Sequence, residues 1–560
     1  MTMAGRRKAA AAEVVLEAGD GTDTTPPSFD LYSQPWIPVV RGGVEELVSL
    51  RTAIAEAHQI DGLSTTDGPR FAGLLRLLVA LVMDVYGQPA NDREWAKRRE
   101  QGRFDAAKLD DYTTEVGRSR FDLFDAEHPF MQSATTPPLS GRGNAKSVAE
   151  LLTWVATGNR TPLWTPDIDA RPRPLTFTEA AQALVAMQAV AVPGLGRATK
   201  EDAGESWAGV EFGGRVGVIG FSCPVGETLF ETAMLNIPNG SHEARDSADL
   251  PVWRREDVPP SRSKRSSRGM VDLLTWTPRR VRLVPNAGTV SRVCFLGGDA
   301  LPALELDHEP HTALMKSDDD NAAWKPRKHR PHTLGWRGIP QLLALGENHS
   351  NSLPSRVMRD LGNRIEVLPS GYRVTVLSLY VEYGGGAQKS VFDNIVTDMF
   401  PLPVRAFGES ETDIRDLLVF LVTTADQVRY QLFRYASDVY AVTHRDLDQD
   451  RKASKAYATA IEADLVSRID TITRRLLSSL SVDPSAMEQL RQTWTAALGA
   501  LADAAATDIN TDCGPGVFAL IGATSAGRPK VQVYPPAIRL AQLRAKLAPL
   551  LGRDHQEVTT

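Results

Sequence analysis

An α+β fold is predicted, with a large irregular mixed N-terminal domain followed by a C-terminal four-helix bundle. Three observations predict it. At 560 residues the chain exceeds the size at which one hydrophobic core stops growing, so a large domain plus a smaller one is expected. Up to about residue 400, β-like runs such as Val281-Arg282-Leu283-Val284 and Val374 to Tyr380 alternate with helical stretches and long polar loops. After Pro401 and Pro403 the pattern changes to sustained helical periodicity.

Residues 1–28, rich in Ala, Gly, Thr and Asp and ending in Pro26-Pro27-Ser28, read as a disordered tail because they offer little apolar surface to offset the entropy of ordering. The fold is expected to start at Phe29. Within 29–403, Phe71 to Tyr86 places Leu74, Leu75, Leu78, Leu81, Val82 and Val85 at three- and four-residue spacing, the stripe of a buried core helix. Thr178 to Ala191 is a second helical run. In 404–560, Ile414, Leu417, Leu418, Leu421, Val422, Ala425, Val428 and Leu432 share one helical face, and segments near 451–480, 484–508 and 535–551 follow suit. Asp483 before Pro484 is the N-cap and first position of one of these helices, and Pro535-Pro536 introduce the last. Short connections give an antiparallel bundle, with a glycine-rich excursion such as a hairpin between Asp512 and Val533. No repeat of fixed period occurs, which excludes solenoids and propellers.

Composition excludes several function classes. Three scattered cysteines, Cys223, Cys294 and Cys513, form no CxxC pair, so neither a disulfide framework nor a cysteine zinc site is expected and a reducing cytoplasm fits. Arg6, Arg7 and Lys8 precede a short Ala-rich run broken by Glu13 and Glu17, too short for a signal peptide or membrane span. A formal net charge of −6 rules out a surface coated uniformly for phosphate, so any nucleic-acid contact must be local. The GxxxxGK[ST], GxSxG and HExxH signatures are all missing, which removes the common NTP-binding, esterase and zinc-protease classes.

Four local patterns carry chemistry. His308 with His311 and His329 with His332 have the spacing of a shared metal, with Asp318, Asp319 and Asp320 between them, but a proline inside each pair spoils helical presentation and the expectation is no metal. Arg254, Arg255, Arg262, Lys264, Arg265, Arg268, Arg279, Arg280 and Arg282 crowd one Ser- and Pro-rich segment, opposed only by Glu256, Asp257 and Asp272. Such a run binds phosphates by releasing counterions, or is a solvated loop, and composition does not separate the two. Lys325, Arg327, Lys328, Arg330 and Arg337, interleaved with Trp324 and Trp336, form a second patch. Finally, Pro193-Gly194-Leu195-Gly196-Arg197 and Gly384-Gly385-Gly386 are places where a backbone without Cβ atoms can approach a ligand, although turns and helix ends use glycine too. Ala387-Gln388-Lys389-Ser390 then opens a predicted helix through Phe400, at whose N-terminus a long amide could push against a base pair and Lys389 favour a phosphate, although on these residues alone a plain turn is the commoner reading.

In order and rough spacing these residues resemble the CasA family, the large subunit of the type I-E CRISPR complex Cascade. Phe29-Asp30-Leu31 through Gln34-Pro35-Trp36-Ile37-Pro38-Val39 looks like the family's opening strand, and Phe121-Asp122-Leu123-Phe124 through His128-Pro129-Phe130-Met131-Gln132 like its HPFxQ segment. Glu150-Leu151-Leu152, the Pro193 to Gly196 run, the Gly384 to Ser390 turn and the final bundle follow, so the resemblance runs from residue 29 to the end.

The resemblance implies a subunit without catalytic activity or cofactor, working in the cytoplasm and away from membranes. Its partners would be double-stranded target DNA, CRISPR RNA, the other Cascade subunits and the helicase-nuclease of the system. Its task would be to read the short PAM from the minor groove before guide RNA pairs with the target. Gly194 and Gly196 would approach the PAM, and Gln388, flanked by Ala387 and Lys389, would wedge open the adjacent base pair. Residues 159–174, with Asn159 and Trp164, would match the loop that contacts the 5′ handle of the guide, and Arg262, Lys264, Arg265 and Arg268 would make nonspecific phosphate contacts. The family's minor-groove lysine has no lysine counterpart between Lys264 and Lys316, which leaves Arg292 and Lys316 as candidates. Two other classes stay open: a metal-dependent nuclease or nucleotidyl-transfer enzyme built on Asp318 to Asp320, and a purely structural scaffold subunit.

Overall fold

The computed structural model describes residues 27–134, 145–152, 155, 173–198, 207–211, 213–240, 246–256, 265–300, 308–317, 322–328, 335–345, 351–384, 391–444, 451–481, 483–514 and 536–552. The chain opens on a small antiparallel sheet of β1 (Ile37–Arg41), β2 (Val44–Val48) and β3 (Gly62–Leu63), in the order β2-β1-β3. Trp36 enters it fully buried, its indole N–H donating to the Leu31 carbonyl at 2.9 Å.

Helix α1 (Gly68–Tyr86) runs through the centre of the domain. The Asp67 carboxylate caps its first turn by accepting from the Arg70 N–H, Pro69 fits a position that needs no donor, and Gly87 closes it at φ 75°. Almost every residue of α1 is buried, so the apolar stripe seen in the sequence is one side of a helix enclosed all round. Its Arg76 is buried too, matched by a bidentate pair with Glu309 at 2.6 and 3.1 Å.

Strands β4 (Ala145–Ser147) and β5 (Leu175–Thr176) lead into helix α2 (Phe177–Val190), which starts with a reciprocal capping box between Thr176 and Glu179. A hairpin of β6 (Gly194–Ala198) and β7 (Trp207–Glu211), the short turn α3 (Arg215–Val218) and strand β8 (Phe221–Val225) follow. Next comes the hairpin β9 (Arg279–Asn286) and β10 (Thr289–Gly297), with β4 and β5 paired along β10. The HPFxQ-like segment folds against it. Phe130 stacks on Trp253 with centroids 5.8 Å apart, and Gln132 donates to the Leu123 carbonyl at 2.7 Å while accepting from the Leu283 N–H at 2.8 Å. That glutamine is a core bracket.

A three-stranded ribbon of β11 (Leu314–Met315), β12 (Lys325–Pro326) and β13 (Ser352–Leu353) precedes the longest pairing among the described residues, β14 (Arg373–Gly384) with β15 (Val391–Pro403). β14 is the middle strand of a sheet ordered β15-β14-β8 and is buried along most of its length. The helix predicted from Ala387 through Phe400 is therefore corrected. Residues 391–403 are strand, in register from Gly384↔Val391 to Arg373↔Pro403 with one bulge at Glu382/Tyr383.

Four helices complete the described fold: α4 (Thr412–Thr443), α5 (Lys452–Ser479), α6 (Pro484–Asp512) and α7 (Pro536–Leu547). They pack around α4, whose predicted stripe Ile414, Leu417, Leu418, Leu421, Val422, Ala425, Val428 and Leu432 is buried throughout. The Asp483 carboxylate accepts from the Ser485 and Ala486 N–H groups at the start of α6, as its place before Pro484 predicted. The proposed excursion after Asp512 lies mostly outside the described residues.

Candidate nucleic-acid interface

The two glycine-rich runs meet through one buried side chain. Tyr383, the last residue but one of β14, donates its hydroxyl to the Val190 carbonyl at 2.9 Å, with the Ala191 carbonyl at 3.5 Å. Val190 ends α2, and a few residues later β6 begins at Gly194. The hydroxyl thus ties the root of the 385–390 connection to the root of the glycine strand. Burial pushes the Tyr383 phenol well up, so it stays a neutral donor. Contacts on two sides fix this joint. A Cβ on Gly217 of α3 would lie 1.6 Å from the Tyr383 hydroxyl oxygen, so only glycine lets the ring in. On the other side Arg279 donates to the Val192 carbonyl at 2.5 Å, and Gln188 donates to the Arg279 carbonyl at 3.0 Å.

Gly194 and Gly196 lie in β6, Gly194 opposite Glu211 and Gly196 opposite Gly209. The Gly196↔Gly209 pair leaves one face of the two-stranded ribbon without a Cβ at that level, a place where another backbone or a base edge could come close. Ala387, Gln388 and Lys389 lie outside the described residues, as do Asn159, Trp164, Arg262 and Lys264. What the fold describes is the frame on either side of the first three: β14 ends at Gly384 and β15 begins at Val391, paired with each other.

The described part of the first basic run is not a flexible cationic strip. Arg265 makes a bidentate pair with Asp272 at 2.6 and 2.9 Å, reaches Asp299 at 2.8 Å and stacks 4.0 Å from the Trp276 ring centroid. Arg255 and the fully buried Arg280 converge on the same Asp299, at 3.2 and 2.5 Å. Burial lowers the Arg280 pKa, whereas at Arg265 the opposing effect of the Asp272 and Asp299 carboxylates outweighs burial and raises it. Arg265, expected to serve phosphates, has its fork engaged in an internal ion cluster. Arg268 is exposed, with its backbone N–H on Asp272.

The second patch splits. Lys328 places its ammonium 5.2 Å from the Tyr383 centroid and 5.8 Å from that of Tyr380, beside the joint just described. Lys316 lies over Trp324 at 5.5 Å. Trp336 is core, Arg337 pairs with Asp426 of α4 at 3.4 Å, and Arg330 lies outside the described residues. Arg292, the other candidate cation, is mid-strand in β10 opposite Ser147.

The first histidine pair is not presented for a metal. His311 is fully buried, contacts the Asn236 side-chain oxygen through Nε2 at 3.2 Å and has its pKa driven well down by burial and then by Arg76, while His308 Nδ1 meets the Ser267 hydroxyl at 2.8 Å. His329, His332 and Asp318 to Asp320 lie outside the described residues. Among the described residues no cluster of three His, Cys, Asp or Glu side chains could hold a metal. Sequence reasoning missed Tyr383, Gly217 and Lys328 as parts of one joint. The one available signal was an aromatic residue directly before the Gly384 to Gly386 run.

The family model described as "CRISPR-associated protein Cse1" matches residues 30–505. The chain belongs to the Cse1 family. CasA/Cse1 of Thermus thermophilus is 27% identical over 315 residues, a stretch covering 53% of this chain and 59% of that relative, or about three fifths of its length. Among solved structures, Cse1 of Acidimicrobium ferrooxidans superposes with a TM-score of 0.74 at 25% identity, covering 95% of this chain and 99% of the other. Cse1 of Thermobifida fusca gives 0.79 at 23% identity, covering 94% and 98%, a likeness of fold alone. A chain of a structure titled "CRISPR RNA-guided surveillance complex" matches with a TM-score of 0.65 at 19% identity, covering 93% and 100%. No described helix is long and apolar enough to cross a membrane.

Proposed function

We propose that this chain is the non-catalytic large subunit of a type I-E Cascade surveillance complex, and that it reads the PAM in the minor groove of duplex DNA and wedges open the adjacent base pair to start an R-loop. The observation that supports this reading is the Tyr383 joint, which ties the end of β14, just before residues 385–390, to the root of β6 with its Gly196↔Gly209 pair, in a member of the Cse1 family. In this reading the ribbon containing Gly194 and Gly196 approaches the groove floor. Gln388, with Ala387 and Lys389 beside it, enters the stack, where unstacking one step costs a few kcal/mol that PAM contacts must offset.

The wedge needs a stiff mount, and a paired hairpin supplies one as well as the helix start first expected. Asn159 and Trp164 would meet the 5′ handle of the CRISPR RNA, and Arg262, Lys264 and Arg268 would contact phosphates without sequence preference. The other Cascade subunits, and the helicase-nuclease received in part by the bundle, complete the set of partners, in the cytoplasm. Residues 29–403 would form the nucleic-acid-binding domain and 404–560 the bundle domain.

Replacing Gln388 by Ala in the assembled complex tests the proposal. Target unwinding should fall while PAM-dependent duplex binding persists, and unchanged R-loop formation overturns the wedge. Incubating the purified chain with DNA and Mg²⁺ or Mn²⁺ tests the enzymatic alternative: cleavage abolished by changing Asp318 to Asp320 would replace this reading.

A further inference from the structure

The hairpin that carries the 385–390 connection is gripped at its other end by the bundle, through two arginines that act in opposite directions. Arg373, the first residue of β14, donates to the Leu480 carbonyl at 2.7 Å and to the Leu477 carbonyl, at the C-terminal end of α5, where exposed carbonyls and the helix dipole favour a cation. In return Arg474 of α5 reaches out to the partner strand β15, donating to the Asp398 carboxylate and to the Met399 carbonyl, while its Nε is held by Asp470 of its own helix at 2.6 Å. Strand gives an arginine to helix, and helix gives one to strand.

Asp398 and Met399 lie opposite Ser378 and Leu377 in the ladder, near the middle of the pairing whose far end brackets residues 385–390. At roughly 3.3 Å per residue the paired strands span about 36 Å from the Arg373 end to the Gly384 end. Tyr383 anchors the far end of the paired strands and the two arginines the near half, so the ladder that brackets residues 385–390 is held at both ends.

We propose that Arg474 is a positioning residue for duplex opening: through Asp398 and the Met399 carbonyl it holds the β14–β15 hairpin on α5 and so aims the connection at the first base pair. This inference rests on the wedge reading above and extends it to a residue outside the mixed domain. Arg373 is the complementary grip, and a hairpin loosened at α5 would still bind duplex through the glycine ribbon but would present Gln388 off line.

The test uses the complete reassembled complex and a duplex carrying the PAM that the wild-type complex selects from a randomised library. A fluorescent adenine analogue reports opening of the first target pair, which is either matched or deliberately mismatched. Arg474→Ala should open the matched duplex at least about tenfold more slowly, equivalent to about 1.4 kcal/mol of barrier, yet open the mismatched duplex at the wild-type rate, because a pre-opened pair needs no aimed wedge. Arg474→Lys should recover part of the rate, and Asp398→Asn, which keeps the side chain's size, should show a smaller defect of the same kind and carries the test should Arg474→Ala fail to assemble. Equal slowing on both duplexes overturns the inference, because it marks a general loss of structure. A wild-type rate for Arg474→Ala beside a slow Gln388→Ala overturns the clamp alone, whereas a wild-type rate for Gln388→Ala overturns the wedge reading beneath it.

Discussion

Replacing Gly217 by Ala probes the Tyr383 joint directly. The new Cβ would stand 1.6 Å from the Tyr383 hydroxyl oxygen and 2.7 Å from its Cζ, so the ring must leave its place. Tyr383 is only 8% exposed and flanked by the α2 terminus, which leaves no room to swing aside without breaking its bond to the Val190 carbonyl. Overpacking of this kind costs about 1–3 kcal/mol, and a buried carbonyl left without its donor about 1–3 kcal/mol more. We therefore expect Gly217→Ala to lose about 3 kcal/mol, read as a shift in urea midpoint by tryptophan fluorescence. Tyr383→Phe alone should lose about 1.5 kcal/mol. The double variant should lose less than the sum by about 1 kcal/mol, because the oxygen nearest the new methyl is gone and its bond cannot be lost twice. Full additivity, or a Gly217→Ala protein within about 0.5 kcal/mol of wild type, would refute the argument that this contact makes glycine obligatory.

Asp299→Ala should destabilise by about 3–5 kcal/mol, read as a drop in thermal midpoint, because it strips the shared carboxylate from the buried Arg280 and from Arg255 and Arg265. Arg268→Ala should leave that midpoint unchanged and reduce the salt slope of DNA binding by about one phosphate contact, while Arg265→Ala should do the reverse. His311, facing Glu309 and Arg76 in the core, has a folded pKa below its unfolded value, so the unfolded chain takes up a proton that the native one refuses. Stability should therefore fall as pH drops below about 6.5, with this group contributing a slope of up to about 1.4 kcal/mol per unit and nothing above that pH. His311→Gln should flatten that part of a pH series of urea midpoints.

The elements legible in the sequence are those whose own residues decide them. α1, α2 and the bundle helices carry their periodicity locally, and Asp483 before Pro484 marks a start that the structure bears out. β15 was not legible for a physical reason. Its apolar residues come as adjacent pairs, Val391-Phe392, Ile395-Val396 and Met399-Phe400, a four-residue repeat that mimics a helix. The β-branched residues Val391, Ile395, Val396 and Thr397 and the long pairing with β14 override it, and pairing is a tertiary fact that a single segment does not contain. Likewise a cluster of arginines reads as a phosphate strip until their carboxylates are known. Asp272 is near Arg265 in the sequence, but Asp299 arrives from after β10, and only the fold brings the two together.

The ladder of β14 and β15 also says where this protein can vary. Inserting or deleting one residue inside β14 would turn every later side chain to the opposite face, carrying Tyr383 out of its socket beside Gly217. A change of length confined to 385–390 leaves every upstream and downstream pairing as it is. Chimaeras that graft connections of other lengths and compositions between Gly384 and Val391 should therefore keep the scaffold intact.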